Sequence, residues 1–234
     1  MNNDRDPRFS GLLQSVNFLS LSFGRLLLTV ILGFFVHQIF KYVTRDRSTA
    51  NVIFNNPSDP NVKATKFGLG SFEIVEGTAY RLAPVTIEQE VDRGYYSKGA
   101  VSPTNYLVLN GKDKSAIRLV PKNNTLFIQT QKIGKNDKEG KLVKTSGIWY
   151  TVVKADTNDD KRLSESDRKT IAVSDVSGAN YTEVIPKVDR LLNTFQINET
   201  NVLIIYETDG KSFVAELDLS QRQVTETKEL PVLN

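Results

Sequence analysis

The chain has 234 residues but no cysteine and only one histidine, His37. Without cysteine it has no disulfide, no thiol nucleophile and no thiolate metal ligand. Because the only histidine lies near the N-terminus, the rest of the chain cannot supply a Ser-His-Asp triad or a histidine-ligated zinc. The composition therefore excludes several common enzyme classes.

The chain also lacks strong charge and a phosphate loop. A formal net charge of +3, with no basic patch interleaved with aromatics, argues against a nucleic-acid partner. Gly68-Leu69-Gly70 lacks the third glycine and the helix of a phosphate loop, so it indicates a turn. Glu88 and Glu90 share one face of a predicted strand, which leaves a carboxylate-based hydrolase as a less favoured interpretation. We expect no enzymatic activity.

One long apolar run, Leu26–Val43 (LLLTVILGFFVHQIFKYV), stands out in this otherwise polar sequence. At about 1.5 Å per residue it spans roughly 27 Å as a helix, close to the hydrocarbon thickness of a bilayer. It predicts one transmembrane helix at residues 26–43, after a short tail or interfacial segment at residues 1–25. A cleaved signal peptide is the alternative, although the run is long and no small-x-small cleavage site follows it.

Basic residues are balanced on the two sides of this run, so the positive-inside rule does not orient it. The residues are Arg5, Arg8 and Arg25 before the run, and Lys41, Arg45 and Arg47 at its end and beyond. The next stretch, residues 44–66, is mixed in composition and rich in Asn and Pro, so we interpret it as a linker.

From residue 67 to residue 234 the pattern is that of β structure. Short apolar or alternating segments are separated by turn residues, and no segment strongly favours a helix. The pattern predicts an all-β soluble domain of antiparallel meanders, either propeller-like or a sandwich. Hairpins with glycine-containing turns are expected at 106–120, 171–185 and 202–217. Polar stretches at 92–103 and 134–144 are expected to be loops.

One twelve-residue stretch, Asp156–Asp167 (DTNDDKRLSESD), has the spacing of a calcium loop. Oxygen-bearing side chains occupy positions 1, 3, 5, 9 and 12, and a main-chain carbonyl falls at position 7. Calcium takes six to eight oxygen ligands, so this spacing predicts a structural calcium site. The predicted ligands are Asp156, Asn158, Asp160, the carbonyl of Arg162, Ser164 and Asp167.

Two positions of this loop depart from the usual calcium pattern. Lys161 stands at position 6, where glycine normally provides a left-handed turn, and Asp167 stands at position 12 instead of the longer glutamate. The alternative interpretation is an acidic turn in which Ser164 to Asp167 form a capping-box-like arrangement.

The loop resembles the calcium loop of EF-hand proteins, and more closely its dockerin-like and propeller-inserted variants. Together with Gly178, the stretch Tyr150–Ile185 is similar to blades of the TolB-type propeller family. In that family a strand ends in such a loop and a D-x-x-G hairpin follows. The resemblance implies a binding surface and no reaction.

These features together predict a single-pass membrane-anchored binding or assembly protein with a protein partner in the envelope. A loop with a poor position 6 and a short position 12 should bind calcium weakly, and so needs the millimolar calcium found outside the cytoplasm. We therefore expect a bacterial inner-membrane protein with a cytoplasmic N-terminus and a periplasmic C-terminal domain. The alternative is an accessory subunit of a membrane complex that contacts its partners through the helix.

Overall fold

The computed structural model describes residues 52–54, 62–91 and 98–231. The predicted tail at residues 1–25, the predicted transmembrane helix at 26–43 and much of the predicted linker lie outside these ranges. Within the described ranges, no helix is both long enough and apolar enough to cross a bilayer. Residues 48–234 belong to one compact unit of the chain.

Fifteen strands run through the described residues, with the bounds that follow. They are Ile53–Phe54 (β1), Val62–Leu69 (β2), Glu73–Ile74 (β3), Tyr80–Val91 (β4), Lys98–Asn110 (β5), Ala116–Arg118 (β6), Leu126–Asn136 (β7), Leu142–Val153 (β8), Arg162–Leu163 (β9), Lys169–Ser174 (β10), Thr182–Val188 (β11), Arg190–Gln196 (β12), Asn201–Thr208 (β13), Lys211–Asp218 (β14) and Gln223–Glu229 (β15).

The strands form three antiparallel sheets and one short two-stranded pair. The first sheet has the order β2-β4-β5-β6, with β3 paired to β4; the second has the order β11-β10-β8-β7; the third has the order β12-β13-β14-β15. The two-stranded pair joins β1 to β9. Apart from that pair, each sheet is built from a contiguous part of the chain, as expected of meanders. The predicted all-β antiparallel class is confirmed.

The second sheet lies between the other two because both of its faces are buried. Trp149 and Val173 of this sheet pack in one core with Ile204 of the third sheet. Tyr150 and Ala172, their neighbours along the strands, point the other way and pack in a second core with the first sheet. Burial on both faces explains why the segment IWYTVV is almost continuously apolar instead of alternating.

Aromatic side chains join the first sheet to the second. Tyr106 meets Phe127 edge to face at 5.3 Å, and Phe127 meets Tyr150 in the same manner at 5.8 Å. The Tyr150 hydroxyl lies 2.9 Å from the Ser174 hydroxyl, so this buried phenol has a polar partner. Burial raises the pKa of Tyr150.

The three hairpins predicted from glycine-containing turns are present as β5–β6, β10–β11 and β13–β14. In the second of them, the Asp175 side chain accepts the Ser177 amide and Gly178 takes a φ of +78°. A left-handed φ costs glycine little, because glycine has no Cβ, and this explains the D-x-x-G pattern at that turn.

Three segments differ from the expectation of loops or linker. Strand β1 lies within the predicted linker and β2 begins there, so pairing in the β domain begins upstream of residue 67. Strand β5 begins at Lys98, inside the predicted loop 92–103, because β4 continues to Val91 and pairs with it there. In the predicted loop 134–144, β7 runs to Asn136 and β8 begins at Leu142. Because these polar stretches pair with neighbouring strands, β structure extends further into them than their composition alone favours.

Candidate metal site in the loop 156–167

The loop Asp156–Asp167 connects β8 to β10 and contains β9. Its first half is folded by side chains that accept hydrogen bonds from amides further along the loop. Asp156 accepts the amides of Asn158 at 3.3 Å and Lys161 at 2.6 Å. The Asn158 side chain accepts a hydrogen bond from the Asp160 amide, and the Asp160 carboxylate accepts one from the Arg162 amide. The short polar side chains at positions 1, 3 and 5 thus wind the backbone into successive turns.

Position 6 keeps the left-handed conformation although it holds no glycine. Lys161 has a φ of +64°, and Asp159, two residues earlier, has a φ of +61°. A non-glycine residue in this region costs about 1–2 kcal/mol. The hydrogen bond from the Lys161 amide to the Asp156 carboxylate helps to offset this cost. The turn that the calcium pattern requires is therefore present here.

Position 12 is occupied by Asp167, which is fully buried. One of its carboxylate oxygens accepts the Thr157 amide at 2.7 Å and the Thr157 hydroxyl at 3.2 Å; the other accepts the Ser164 amide at 2.9 Å. The short side chain therefore ties the two ends of the loop together. Thr157 was not among the predicted site residues. Its hydroxyl, one position after the first predicted ligand, was the sequence signal that could have identified it.

The contacts of the alternative interpretation are also present. The Asp167 carboxylate reaches back to the Ser164 amide, and the Ser166 amide donates to the Ser164 hydroxyl at 3.2 Å. This pattern resembles a capping box, although the Ser164 hydroxyl accepts the amide of Ser166 instead of that of Asp167, and the strand β10 follows the turn instead of a helix.

The six predicted ligands thus lie in one loop and offer only oxygen donors, which suits calcium chemically. Across the described part of the chain, no group of three or more His, Asp or Glu side chains is arranged so that it could hold a metal ion. The carboxylates of Asp156, Asp160 and Asp167 instead accept hydrogen bonds from loop amides. The loop provides the donor set and the left-handed turn of a calcium site, while its carboxylates do not converge.

The end of the loop is joined to the third sheet by two basic residues that the sequence analysis did not single out. Arg168 pairs with Asp189 at 2.9 Å and with Asp209 at 2.8 Å. Lys169 is largely buried and donates to the carbonyls of Asp167 at 2.9 Å and Asp189 at 2.8 Å. Burial lowers the pKa of the Lys169 amine. These contacts connect the loop to Asp189, directly before β12, and to the turn at Asp209, directly after β13.

The loop also holds the most N-terminal described segment. Ile53 pairs with Leu163 and Phe54 with Arg162, which occupy positions 8 and 7 of the loop. Ile53 and Leu163 are buried in a third core with Ile87, Leu126 and Val153. The chain that enters the β domain is therefore fixed to this loop.

The described residues form an all-β antiparallel domain. No protein-family model and no curated protein matches the chain. Among solved structures, the chain is similar to the β-propeller domain of the Trilobed protease from Pyrococcus furiosus, described as having an open velcro topology. That similarity has a TM-score of 0.35 and 14% sequence identity, and it covers 70% of this chain and 43% of the other.

Proposed function

We propose that the chain is a single-pass membrane-anchored binding or assembly protein whose β domain lies outside the cytoplasm, on the periplasmic side of a bacterial inner membrane. The anchor is the apolar run at residues 26–43. The β domain follows it closely, since pairing begins at Ile53.

The observation that carries the proposal is a set of large apolar side chains exposed on the outer sheets. Exposed apolar clusters are typical of surfaces that bind other proteins. On or beside the first sheet they are Phe67, Leu69, Phe72, Ile74, Val101 and Ile117; on or beside the third sheet they are Leu192, Phe195 and Ile197.

Anchoring is tested on the full-length protein in membranes. Alkaline carbonate should leave the protein in the membrane pellet, and external protease should reach the β domain only after the outer membrane is opened. Release by carbonate would contradict the anchor, and protection of the β domain in spheroplasts would contradict the orientation.

Partner binding is tested by cross-linking in membranes, followed by purification of the full-length protein. Phe195→Asp places a charge at a side chain that is 50% exposed, and it should reduce the cross-linked product at least about tenfold. Val143→Asp is the matched control, since Val143 is 43% exposed but lies on the second sheet. Equal loss in both variants, or none in either, would count against a binding surface on the outer sheets.

A structural calcium in the loop 156–167 is part of the same proposal. Asp156, Asn158, Asp160, the Arg162 carbonyl, Ser164 and Asp167 would hold the ion, which requires the three carboxylates that accept loop amides to converge on it. The ion would supply positive charge that neutralises these carboxylates. The left-handed φ of Lys161 supports this role. The weak binding expected of this loop would suit the millimolar calcium outside the cytoplasm, in keeping with the proposed orientation.

Thermal melting of the full-length protein with millimolar calcium and with chelator tests the ion. Calcium at about one hundred times its Kd should stabilise the fold by about 2.7 kcal/mol. Asp156→Ala should abolish the shift. Asp137→Ala should keep it, because Asp137 organises a different turn through the amides of Glu139 and Lys141. A melting temperature that is insensitive to calcium would exclude the structural ion.

A further inference from the structure

The third sheet has an apolar face on the side away from the second sheet. Val202, Ile204 and Tyr206 alternate along β13 and pack in the core with the second sheet. Leu203 and Ile205, between them, therefore point outward. The register places Phe195 opposite Leu203 and Val214 opposite Ile205, so the apolar row crosses from β12 through β13 to β14.

Acidic side chains surround this row. By register and alternation, four carboxylates share the outward face with two cations; they are Glu207, Glu216, Asp218 and Glu226, with Arg190 and Lys228. Arg190 pairs with Glu207 at 2.9 Å and Lys228 with Glu226 at 2.8 Å, so the excess negative charge of the face comes from Glu216 and Asp218. Glu216 lies directly opposite Glu226 and accepts a hydrogen bond from the Asn201 side chain. We name this surface, the row of Phe195, Leu203, Ile205 and Val214 with its charged neighbours, the acidic end face.

The first sheet has a corresponding face with the opposite charge. Leu82 and Val108 lie opposite each other and pack on the second sheet, so Arg81 and Leu109, one residue along, point away from it. Ile74 pairs with Arg81 on β3. The same register extends the face to Leu107, opposite Arg118. Leu69, which pairs with Val85 on the edge strand β2, is exposed beside it.

Leu69 and Ile74 are 53% and 56% exposed, and the charged side chains in these rows are Arg81 and Arg118. We name this surface, formed by Leu69, Ile74, Leu107 and Leu109 with the two arginines, the basic end face. The stack of three sheets thus ends in an apolar basic face on one side and an apolar acidic face on the other.

We propose that the partner of this chain is a second copy of itself, docked head to tail, with the basic end face of one copy on the acidic end face of the next. The inference rests on the proposed role as a binding protein and names the partner. The contact repeats the sheet-on-sheet packing that joins the three sheets within one chain, and it brings arginines to the carboxylates.

Charge also disfavours the symmetric arrangements. Two acidic end faces in contact would bring excess negative charge together, and two basic end faces would place arginines against arginines. A head-to-tail contact joins different surfaces, so it continues until it closes into a ring or forms a filament.

The test measures the mass of the full-length protein in a mild non-ionic detergent across a range of protein concentrations and salt. We expect assemblies of two or more copies that dissociate on dilution and at high salt, because opposite charges are screened. Arg118→Glu on the basic end face and Glu226→Lys on the acidic end face should each raise the dissociation constant about tenfold or more. Lys138→Glu, in the turn between β7 and β8, is the control and should leave it unchanged.

Mixing the two reversed variants gives the decisive measurement. Each variant has one native face and one reversed face, so in the mixture native meets native and reversed meets reversed. Association should return to near the wild-type level in the mixture, although each variant alone stays dissociated. The proposal would be overturned if the wild-type protein is monomeric at all concentrations, or if neither charge reversal weakens the association.

The outcome separates this inference from the proposed function. The protein could stay in membranes after carbonate and cross-link to a different envelope protein, yet be monomeric in detergent. That result would overturn the proposal that the partner is a second copy, and it would leave the binding role in place. Release from membranes by carbonate would contradict the anchor and leave the measured self-association untouched.

Discussion

Ile53 pairs with Leu163 across two short strands that come from distant parts of the chain, and both side chains are almost completely buried, at 5% and 1% exposure. Leu163 lies at position 8 of the loop 156–167. The pairing therefore couples the start of the β domain to the folding of that loop.

Shortening either side chain should destabilise the domain. Ile53→Ala or Leu163→Ala should lower the free energy of unfolding by about 3 kcal/mol, because each leaves a cavity in a closed core. Ile197→Ala is the control: Ile197 is 48% exposed, and we expect a change within about 0.5 kcal/mol. Denaturant unfolding followed by Trp149 fluorescence measures all three. A loss at Ile53 no greater than at Ile197 would contradict the β1–β9 pairing.

Gly178 and Gly210 offer a matched pair of glycines. Both have left-handed φ angles, +78° and +76°, but a Cβ on Gly178 would lie 2.5 Å from Val108, whereas a Cβ on Gly210 would meet nothing within 4 Å. Gly210→Ala should cost about 1 kcal/mol from the backbone alone. Gly178→Ala should cost about 1–3 kcal/mol more through overpacking against the first sheet. Adding Val108→Ala should recover part of that excess; equal costs at the two glycines would show that the turn does not touch Val108.

Glu76 should contribute stability that depends on pH. Burial raises the pKa of its carboxyl, but hydrogen bonds from Lys132, from its own backbone amide and from Thr145 together outweigh burial and lower the pKa below 4.5. Lys132 and Thr145 lie on the second sheet, so the carboxylate joins it to the first. Because the folded-state pKa is lowered, this stability is present above about pH 4.5 and is lost as the pH falls through the folded value.

Thermal melting against pH checks this. Glu76→Gln should melt below the wild type at neutral pH, and the difference should shrink under acid. Glu139→Gln, at an exposed turn, should follow the wild type throughout. A difference between Glu76→Gln and the wild type that stays constant with pH would rule out the carboxylate as its source.

Thr151 places a hydroxyl in the core between the second and third sheets. Within the described residues, the Thr151 hydroxyl and the Trp149 indole nitrogen are buried without a hydrogen-bond partner. Thr151→Val has nearly the same shape and removes the unsatisfied hydroxyl, so it should raise the free energy of unfolding by about 1 kcal/mol. Denaturant titration measures this. A destabilised Thr151→Val would instead reveal a buried water that the hydroxyl binds.

Trp149 and the hairpins illustrate what could be predicted from the sequence. The Gly178 turn follows from backbone sterics alone, and it appears as predicted. Strand character in IWYTVV follows from β-branched and aromatic residues, but its burial on both faces is a property of the three-sheet stack. The same distinction explains β1 and β2. Their composition predicts a linker, but they form strands because they pair with distant strands.

The sequence by itself determined the apolar run at residues 26–43, the all-β class and the spacing of oxygen donors in the loop, because each depends on neighbouring residues and local period. Only the tertiary structure decided that Asp167 is buried on the amides of its own loop and that Lys169 joins the loop to the turn at Asp189. It also decided that the acidic end face and the basic end face lie on opposite sides of the second sheet. Those relationships depend on which strands pair and which faces pack, and contacts between distant residues leave no local pattern in the chain.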